Sequence, residues 1–303
     1  MASSIGDKAR VIGIARWTSL TLTIFYRQLN ELVYLSENDT DFAENGCNPD
    51  DQFAIVLHGW RDGPTKDWVI DLLSNLTSYR DGCNMFMSYG NNSRVMNYFQ
   101  DLYPNFDLLV NSLTRHLRRL EAVGFDPSRG FMFGFSFGAN LALEAGRRFG
   151  LQRIGRIDVC ELTGVRFDND KSYFLLDPKQ AAKSVQCIHT SEIFGTARRD
   201  CHVSWSLGRC GRDQPAAGPF PKGSHGLCPY FYNSAFSHSF YAQPKPMNCN
   251  SNRYASTWPP GFKMGYFCDM ERSVGVLYGE QFASTTKKFP YTDEKMRQVV
   301  PRS

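Results

Sequence analysis

The chain has 303 residues, 42% of them hydrophobic and 21% charged, with a formal net charge of +4. That apolar content is enough for a packed core and excludes a disordered chain. The 34 basic residues are scattered rather than gathered on an aromatic-interleaved face, which speaks against nucleic-acid binding, and no run of 18 apolar residues offers a transmembrane segment.

In chain order, SLTLTIFYR (19–27) alternates and is rich in Thr, Ile and aromatics, predicting an early antiparallel strand near a sheet edge. FAIVLHGW (53–60) is a continuous apolar run, the pattern of a strand buried on both faces, and it ends in His58, Gly59 and Trp60. Trp68, Val69, Leu72, Leu73 and Leu76 fall at helical spacing, as do Leu109, Val110, Leu113, Leu117 and Leu120 before Gly124. FMFGF (131–135) reads as a short buried strand running into Ser136, followed by a helix over 137–149 that Gly150 ends. RIDVCEL (156–162) and SVQCIHT (184–190) are two further buried strands. Strands alternating with helices predict a mostly parallel sheet covered on both faces. From about 205 to 262 Gly, Pro, Ser, Asn and aromatics dominate, and irregular structure pinned by disulfides is expected there. One domain is expected over 19–290, with residues 1–18 set apart as an incomplete or disordered N-terminal segment and 291–303 as a tail.

Residues 134–140 read GFSFGAN, a G-x-S-x-G pattern that places a serine on a tight strand-to-helix turn with Oγ exposed. A serine so placed becomes a nucleophile when a base takes its proton, an acid orients the base, and backbone N–H groups receive the oxyanion. Nine cysteines, none in C-x-x-C spacing, point to disulfides rather than a zinc site. Sequons at Asn38, Asn75 and Asn91 agree with an extracellular, secreted glycoprotein. The N-terminus gives no convincing signal peptide, because Arg16 interrupts the apolar VIGIA of residues 11–15.

Four stretches in order, VLHGW, GFSFGAN, IGRIDVCELTG and SVQCIHT, resemble the animal neutral lipase family of secreted α/β-hydrolases. That family includes pancreatic-type lipases, phospholipase A1 enzymes and the inactive insect yolk proteins. The likeness runs through Cys268 and leaves no place in this sequence for the C-terminal lipid-binding β-sandwich of larger members. The resemblance implies an α/β-hydrolase fold, Ser136 as nucleophile, and the N–H groups of Trp60 and Phe137 as the oxyanion hole. Alignment on Ile154-Gly155-Arg156-Ile157 puts Glu161 at the acid position, with Asp158 as the fallback.

The base departs from the family pattern. The family histidine lies two residues after a cysteine, and here that position, counted from Cys228, holds Tyr230. A phenol with a pKa near 10 is no neutral-pH base. Four histidines follow Glu161: His189 and His202 read as structural, His225 in KGSHGLC is the first substitute, and His238 is the second. Two readings follow. Tyr230 tips the expectation toward a lipid-binding pseudolipase; the alternative is an active lipase or phospholipase A1 using Ser136, Glu161 and His225. A general cytosolic esterase accounts for the N-terminus but not for the cysteines and sequons.

The expected partner is a lipid, whether triacylglycerol, phospholipid or fatty acid. No cofactor is called for, and no acidic loop is spaced to bind calcium. The resemblance also makes residues 210–228, closed by a Cys210–Cys228 disulfide, a lid that contacts lipid surfaces. With three prolines and four glycines among its seventeen inner residues it cannot form an amphipathic helical lid, and such short lids go with phospholipid substrates. Cys249 and Cys268 bracket a further stretch and are expected to pair, Cys47 is matched with Cys83, and Cys160 and Cys187 sit in buried strands as unpaired apolar residues. The aromatics Tyr230, Phe231, Tyr232, Phe236, Phe240 and Tyr241 suit either an acyl-binding wall or the core.

Overall fold

The structure is a computed structural model that describes residues 21–25, 32–35, 42, 47–80, 82–89, 97–170, 172, 177–219, 223–250, 258–259, 261–269 and 279–293. Its strands are β1 (Thr21–Phe25), β2 (Leu32–Leu35), β3 (Phe53–Leu57), β4 (Cys83–Ser88), β5 (Phe131–Phe135), β6 (Ile154–Cys160), β7 (Ala182–His189), β8 (Val203–Leu207) and β9 (Gly279–Ala283). They form one nine-stranded sheet in the order β2-β1-β4-β3-β5-β6-β7-β8-β9. β1 runs antiparallel to both β2 and β4, next to the edge, and the strands from β4 to β9 are mutually parallel. Among the described residues the longer helical segments are α1 (Asp67–Tyr79), α2 (Phe106–Ala122), α3 (Phe137–Phe149) and the short α4 (Cys228–Ser234).

Side-chain alternation along the buried strands divides the core in two. Phe53, Ile55 and Leu57 of β3 face one layer together with Leu109, Val110 and Leu113 of α2 and Leu141, Ala142 and Ala145 of α3. Ala54 and Val56 face the other layer, with Trp68, Val69, Leu72, Leu73 and Leu76 of α1 and Phe231 and Tyr232 of α4. Helices on both faces of a parallel sheet, with every residue of β3 and β5 buried, define an α/β-hydrolase fold.

The sheet registers place the chemistry. Phe135 pairs with Cys160 and Cys160 with Ile188, so Ser136, Glu161 and Thr190 all emerge at the carboxyl ends of adjacent parallel strands. That edge is where open α/β sheets gather their functional loops.

Several expectations need correction. The stretch after 205 is less irregular than its composition suggests: β8 runs through Leu207, and α4 starts at Cys228. Strands β2, β4, β8 and β9 have no counterpart among the expected strands. Cys47 does pair with Cys83, but the remaining bridges are Cys160–Cys228, Cys187–Cys201 and Cys210–Cys249. The strand cysteines Cys160 and Cys187 are therefore cross-linked, neither Cys210–Cys228 nor Cys249–Cys268 exists, and Cys268 is a free, buried thiol. Burial pushes that thiol up to about 12, so it stays protonated and unreactive. The bridges follow spatial adjacency: Cys160 ends β6 directly beneath the turn that leads into α4.

Of the aromatics from Tyr230 to Tyr241, most settle in the core. Phe231, Tyr232 and Phe240 are fully buried on the α1 face of the sheet. The sequon at Asn75 lies on α1, whereas Asn38, Asn91 and the VIGIA stretch fall outside the described residues. Packing continues through Tyr291, whose ring lies tilted against Phe231 at 5.1 Å, and Thr292, whose hydroxyl donates to the Ser239 carbonyl at 3.0 Å.

Candidate active site

Ser136 has φ 56° and ψ −120°, a left-handed backbone that a non-glycine residue adopts only when its surroundings impose it. The surroundings are backbone. A Cβ on Gly134 would meet the Gly138 carbonyl oxygen at 2.5 Å, and one on Gly138 would meet the His58 carbonyl oxygen at 2.5 Å. Only glycine at both places lets β5 turn this sharply into α3 beneath the end of β3. The Ser136 N–H donates to the Cys160 carbonyl at 2.9 Å, tying the turn to β6.

His225 faces this serine. Its Nε2 lies 2.8 Å from Ser136 Oγ and its Nδ1 lies 2.8 Å from Glu161 Oε2. A carboxylate only accepts hydrogen bonds, so the proton of the neutral ring sits on Nδ1 and Nε2 is left to accept from the serine hydroxyl. The ring is nearly enclosed, at 8% exposure, between Phe135 at 5.2 Å and Phe194 at 5.4 Å.

Glu161 is fully buried and also left-handed, at φ 55°. Its second oxygen, Oε1, accepts from the backbone N–H of Ser191 at 3.0 Å and from that of Thr190. Both lone-pair sets of the carboxylate are thus used, which is what allows a charge to remain in so dry a place. The expected acid position therefore carries a carboxylate aimed at an imidazole. Asp158, the fallback, accepts instead from Arg156, Gln186 and Tyr232 in a separate buried network and does not contact His225.

The turn bearing His225 is anchored at both ends. Cys228, three residues on, is bonded to Cys160, the residue before Glu161. Ser224, just before the histidine, accepts from Thr190 Oγ1 at its carbonyl (2.9 Å) and from the Gln214 N–H at its hydroxyl (2.9 Å). Gln214 is itself buried and donates to the carbonyls of Thr190 and Leu207, each at 2.9 Å. Sequence reasoning missed Gln214 and Thr190; a lone glutamine in a Gly/Pro-rich loop carries no signal of such a role.

Tyr230 is elsewhere. It lies on α4 and lines a cavity of about 290 Å³ with Asp71 and Asn75 of α1, not the one that Ser136 lines. Burial pushes its phenol above the usual value, reinforced by the nearby carboxylates of Asp67 and Asp62. His189 is fully enclosed beside Arg199, and its pKa falls well below 6.5, chiefly through burial. His202 accepts from the Val185 N–H at 3.1 Å, and His238 packs edge-on against Phe289 at 5.4 Å. Of the four histidines after Glu161, His225 is the one that reaches the serine.

Ser136 opens into a cavity of about 330 Å³ walled by Trp60, Tyr98, Phe99, Phe135, Val165 and Phe194, with Arg61, Asn97, Thr163 and His225 as its other polar lining. It is large enough and apolar enough for an acyl chain. Two of its aromatic walls, Tyr98 and Phe99, come from a stretch whose NYFQDLYPNF pattern could have drawn notice in the sequence. No cluster of potential metal ligands occurs among the described residues.

A serine on a strand-to-helix elbow, facing an imidazole that faces a carboxylate at the C-terminal edge of a parallel sheet, defines the α/β-hydrolase class. Residues 17–215 match the family described as Lipase, and the chain belongs to that family. Its relatives include zebrafish (Danio rerio) lipase member H, 26% identical over 60% of this chain and 39% of that protein. Human pancreatic lipase-related protein 2 is also similar, 26% identical over 57% of this chain and 40% of that protein. So is the inactive pancreatic lipase-related protein 1 of the dog, 24% identical over 57% of this chain and 40% of that protein. The chain spans about two fifths of the length of these relatives.

Proposed function

We propose that the protein is a carboxylic ester hydrolase acting on lipid esters. The observation that carries this reading is the pair of 2.8 Å contacts through which His225 joins Ser136 to Glu161. His225 takes the proton from Ser136 Oγ as it attacks the ester carbonyl carbon. The alcohol leaves with that proton, an acyl-serine remains, and water activated by the same imidazole releases the acid. Glu161 fixes the tautomer and stabilises the imidazolium.

The oxyanion falls to the N–H groups of Phe137 and Trp60. Phe137 is the first residue of α3, where helical N–H groups lack intrahelical partners and the dipole favours negative charge. Trp60 follows Gly59, where a Cβ would come within 3.2 Å of Ser136 Cβ, so its backbone passes close by the nucleophile. The apolar cavity supports a lipid acyl group as the acid portion. Lipid-surface contact through residues 210–228 also belongs to this proposal, as does secretion, which four disulfides favour; among the described residues no helix is long and apolar enough to cross a membrane.

The second reading is a lipid-binding pseudolipase. It rests on Tyr230 and on the presence of an inactive lipase-related protein among the relatives. The two part on one experiment: labelling of the purified protein with a fluorescent alkyl phosphonate, beside Ser136→Ala and His225→Ala. Labelling lost in both variants supports hydrolysis. No labelling of the folded wild type, together with retained fatty-acid binding, supports the pseudolipase.

A further inference from the structure

Asn75 begins the sequon Asn75-Leu76-Thr77, and α1 places its side chain on the wall of the cavity of about 290 Å³ that Tyr230 also lines. The rest of the triplet turns inward. Leu76 packs in the core layer beneath α1, and the buried Thr77 accepts from Asn84 Nδ2 at 3.5 Å. The amide of Asn75 is aimed. Asn233 of α4 gives its own Nδ2 to the Trp68 carbonyl at 2.9 Å, which leaves its Oδ1 toward Asn75 Nδ2, 3.4 Å away. Around that amide the lining is polar on one side and aromatic on the other: Asp71 and Ser74 of α1 face Tyr230 and the ring of Phe289. Phe289 is 67% exposed, with Tyr291 edge-on against it at 6.0 Å.

We infer that Asn75 carries an N-linked glycan whose first N-acetylglucosamine seats in this cavity. The inference rests on the secretion reading, since the transferase works in the secretory lumen. A pyranose needs donors and acceptors for its hydroxyls and an aromatic ring for its C–H face, and carboxylate, hydroxyl and amide groups beside an exposed ring supply both. In the transfer, Asn75 Nδ2 bonds to the sugar C1, the bond from C1 to the pyrophosphate of a lipid-linked oligosaccharide breaks, and the amide proton leaves with the lipid pyrophosphate. Asparagine and the threonine two residues on are what that reaction reads. It takes place on the chain before α1 packs, when Leu76 and Thr77 are still accessible. Afterwards Nδ2 keeps one hydrogen, enough for its contact with Asn233. The seated sugar covers the Phe289 ring and gives Tyr230 a place in its wall that involves no chemistry at Ser136.

The test expresses the full chain behind an added, cleavable signal peptide in eukaryotic cells, beside the same chain without that addition. Protein from the medium is denatured and treated with peptide N-glycanase in oxygen-18 water, and residue 75 is read by mass spectrometry. Labelled aspartate at position 75 is expected, and Asn75→Gln should lack the mass of one glycan. Unmodified asparagine at 75 in folded, secreted protein overturns the inference. Failure of the chain without the added peptide to reach the medium counts against the secretion reading alone, because the fused chain still reports on Asn75. Seating is read on the native protein: the same enzyme is expected to release the glycan about tenfold more slowly from the wild type than from Phe289→Ala, the scale of one stacking contact. Phe289 is largely exposed, so its loss leaves the core intact. Equal release rates from the two proteins would leave the glycan in solvent and overturn the seating.

Discussion

His225 Nε2 lies 2.8 Å from Ser136 Oγ, across 89 residues of sequence, while its other nitrogen lies 2.8 Å from Glu161, 64 residues away. Neither contact is local. Both depend on the Cys160–Cys228 bridge and on the hydrogen bonds to Ser224, which hold the His225 turn over the ends of β6 and β7.

The identity of the base is open to direct test. His225→Gln is expected to abolish phosphonate labelling of Ser136, with kcat down by about a million-fold, as when one member of such a triad is lost. Tyr230→Phe is expected to label at the wild-type rate, because its phenol lines a different cavity. Loss of labelling in Tyr230→Phe, with the fold intact by circular dichroism, would contradict the assignment.

Glu161→Gln keeps the size of the acid but lets an amide face the imidazole, which no longer fixes the proton on Nδ1. A loss in kcat of roughly ten-thousand-fold is expected, with little change in KM. Gly195→Ala probes the same carboxylate from outside. Its Cβ would fall 2.8 Å from Glu161 Oε2 and 2.6 Å from the Ser191 carbonyl oxygen, so kcat should fall although residue 195 does no chemistry. A fully active Gly195→Ala protein would show that the acid is not held as tightly as its contacts imply.

Removal of the Cys160–Cys228 bridge should reach both stability and activity. In the double variant Cys160→Ala/Cys228→Ala, global stability in urea is expected to drop by about 2–4 kcal/mol, the usual effect of opening a loop of this length. Labelling of Ser136 should slow under conditions where the variant is still folded, since the His225 turn loses its tether. Removal of Cys187–Cys201 serves as the comparison: a similar stability loss without the slowed labelling.

Acid should destabilise the fold through its buried histidines. Burial lowers the pKa of His189 well below 6.5, with Arg199 adding to the effect, and burial lowers that of His202, with Lys179 adding. A histidine whose folded pKa lies below its unfolded value binds more protons when unfolded, so stability is fully present above pH 6.5 and is lost as pH falls below it. Each such group contributes a slope of up to about 1.4 kcal/mol per pH unit in that window. His189→Leu should flatten the acid limb of the urea midpoint between pH 6.5 and the onset of acid unfolding. An unaltered limb would place the proton uptake elsewhere.

Much of this was legible in the sequence because it is local. Alternation and continuous apolar runs mark β3, β5, β6 and β7, since a strand buried on two faces needs apolar residues at every position. The G-x-S-x-G elbow is equally local: its glycines answer to backbone oxygens at 2.5 Å, a steric demand that no other residue satisfies. Ser136 follows from the elbow, whereas Glu161, Trp60 and Phe137 are what the resemblance to the animal neutral lipases adds. β4 and β9 escaped notice because CNMFMS and GEQFA are short and carry polar residues that bury only by pairing with neighbouring strands.

What the sequence could not decide was which distant residues meet. Counting two positions from Cys228 leads to Tyr230 on α4, which faces α1, whereas counting three back leads to His225, which faces Ser136. Cysteine pairing had the same ambiguity, because spacing along the chain says nothing about which sulfurs are neighbours in space. Local sterics and hydrophobic period are written into adjacent residues and so determine the sheet and the nucleophile's turn. Which histidine meets Ser136, the bridges and the aromatic wall depend on closure of long loops, and only the packed tertiary structure fixes those.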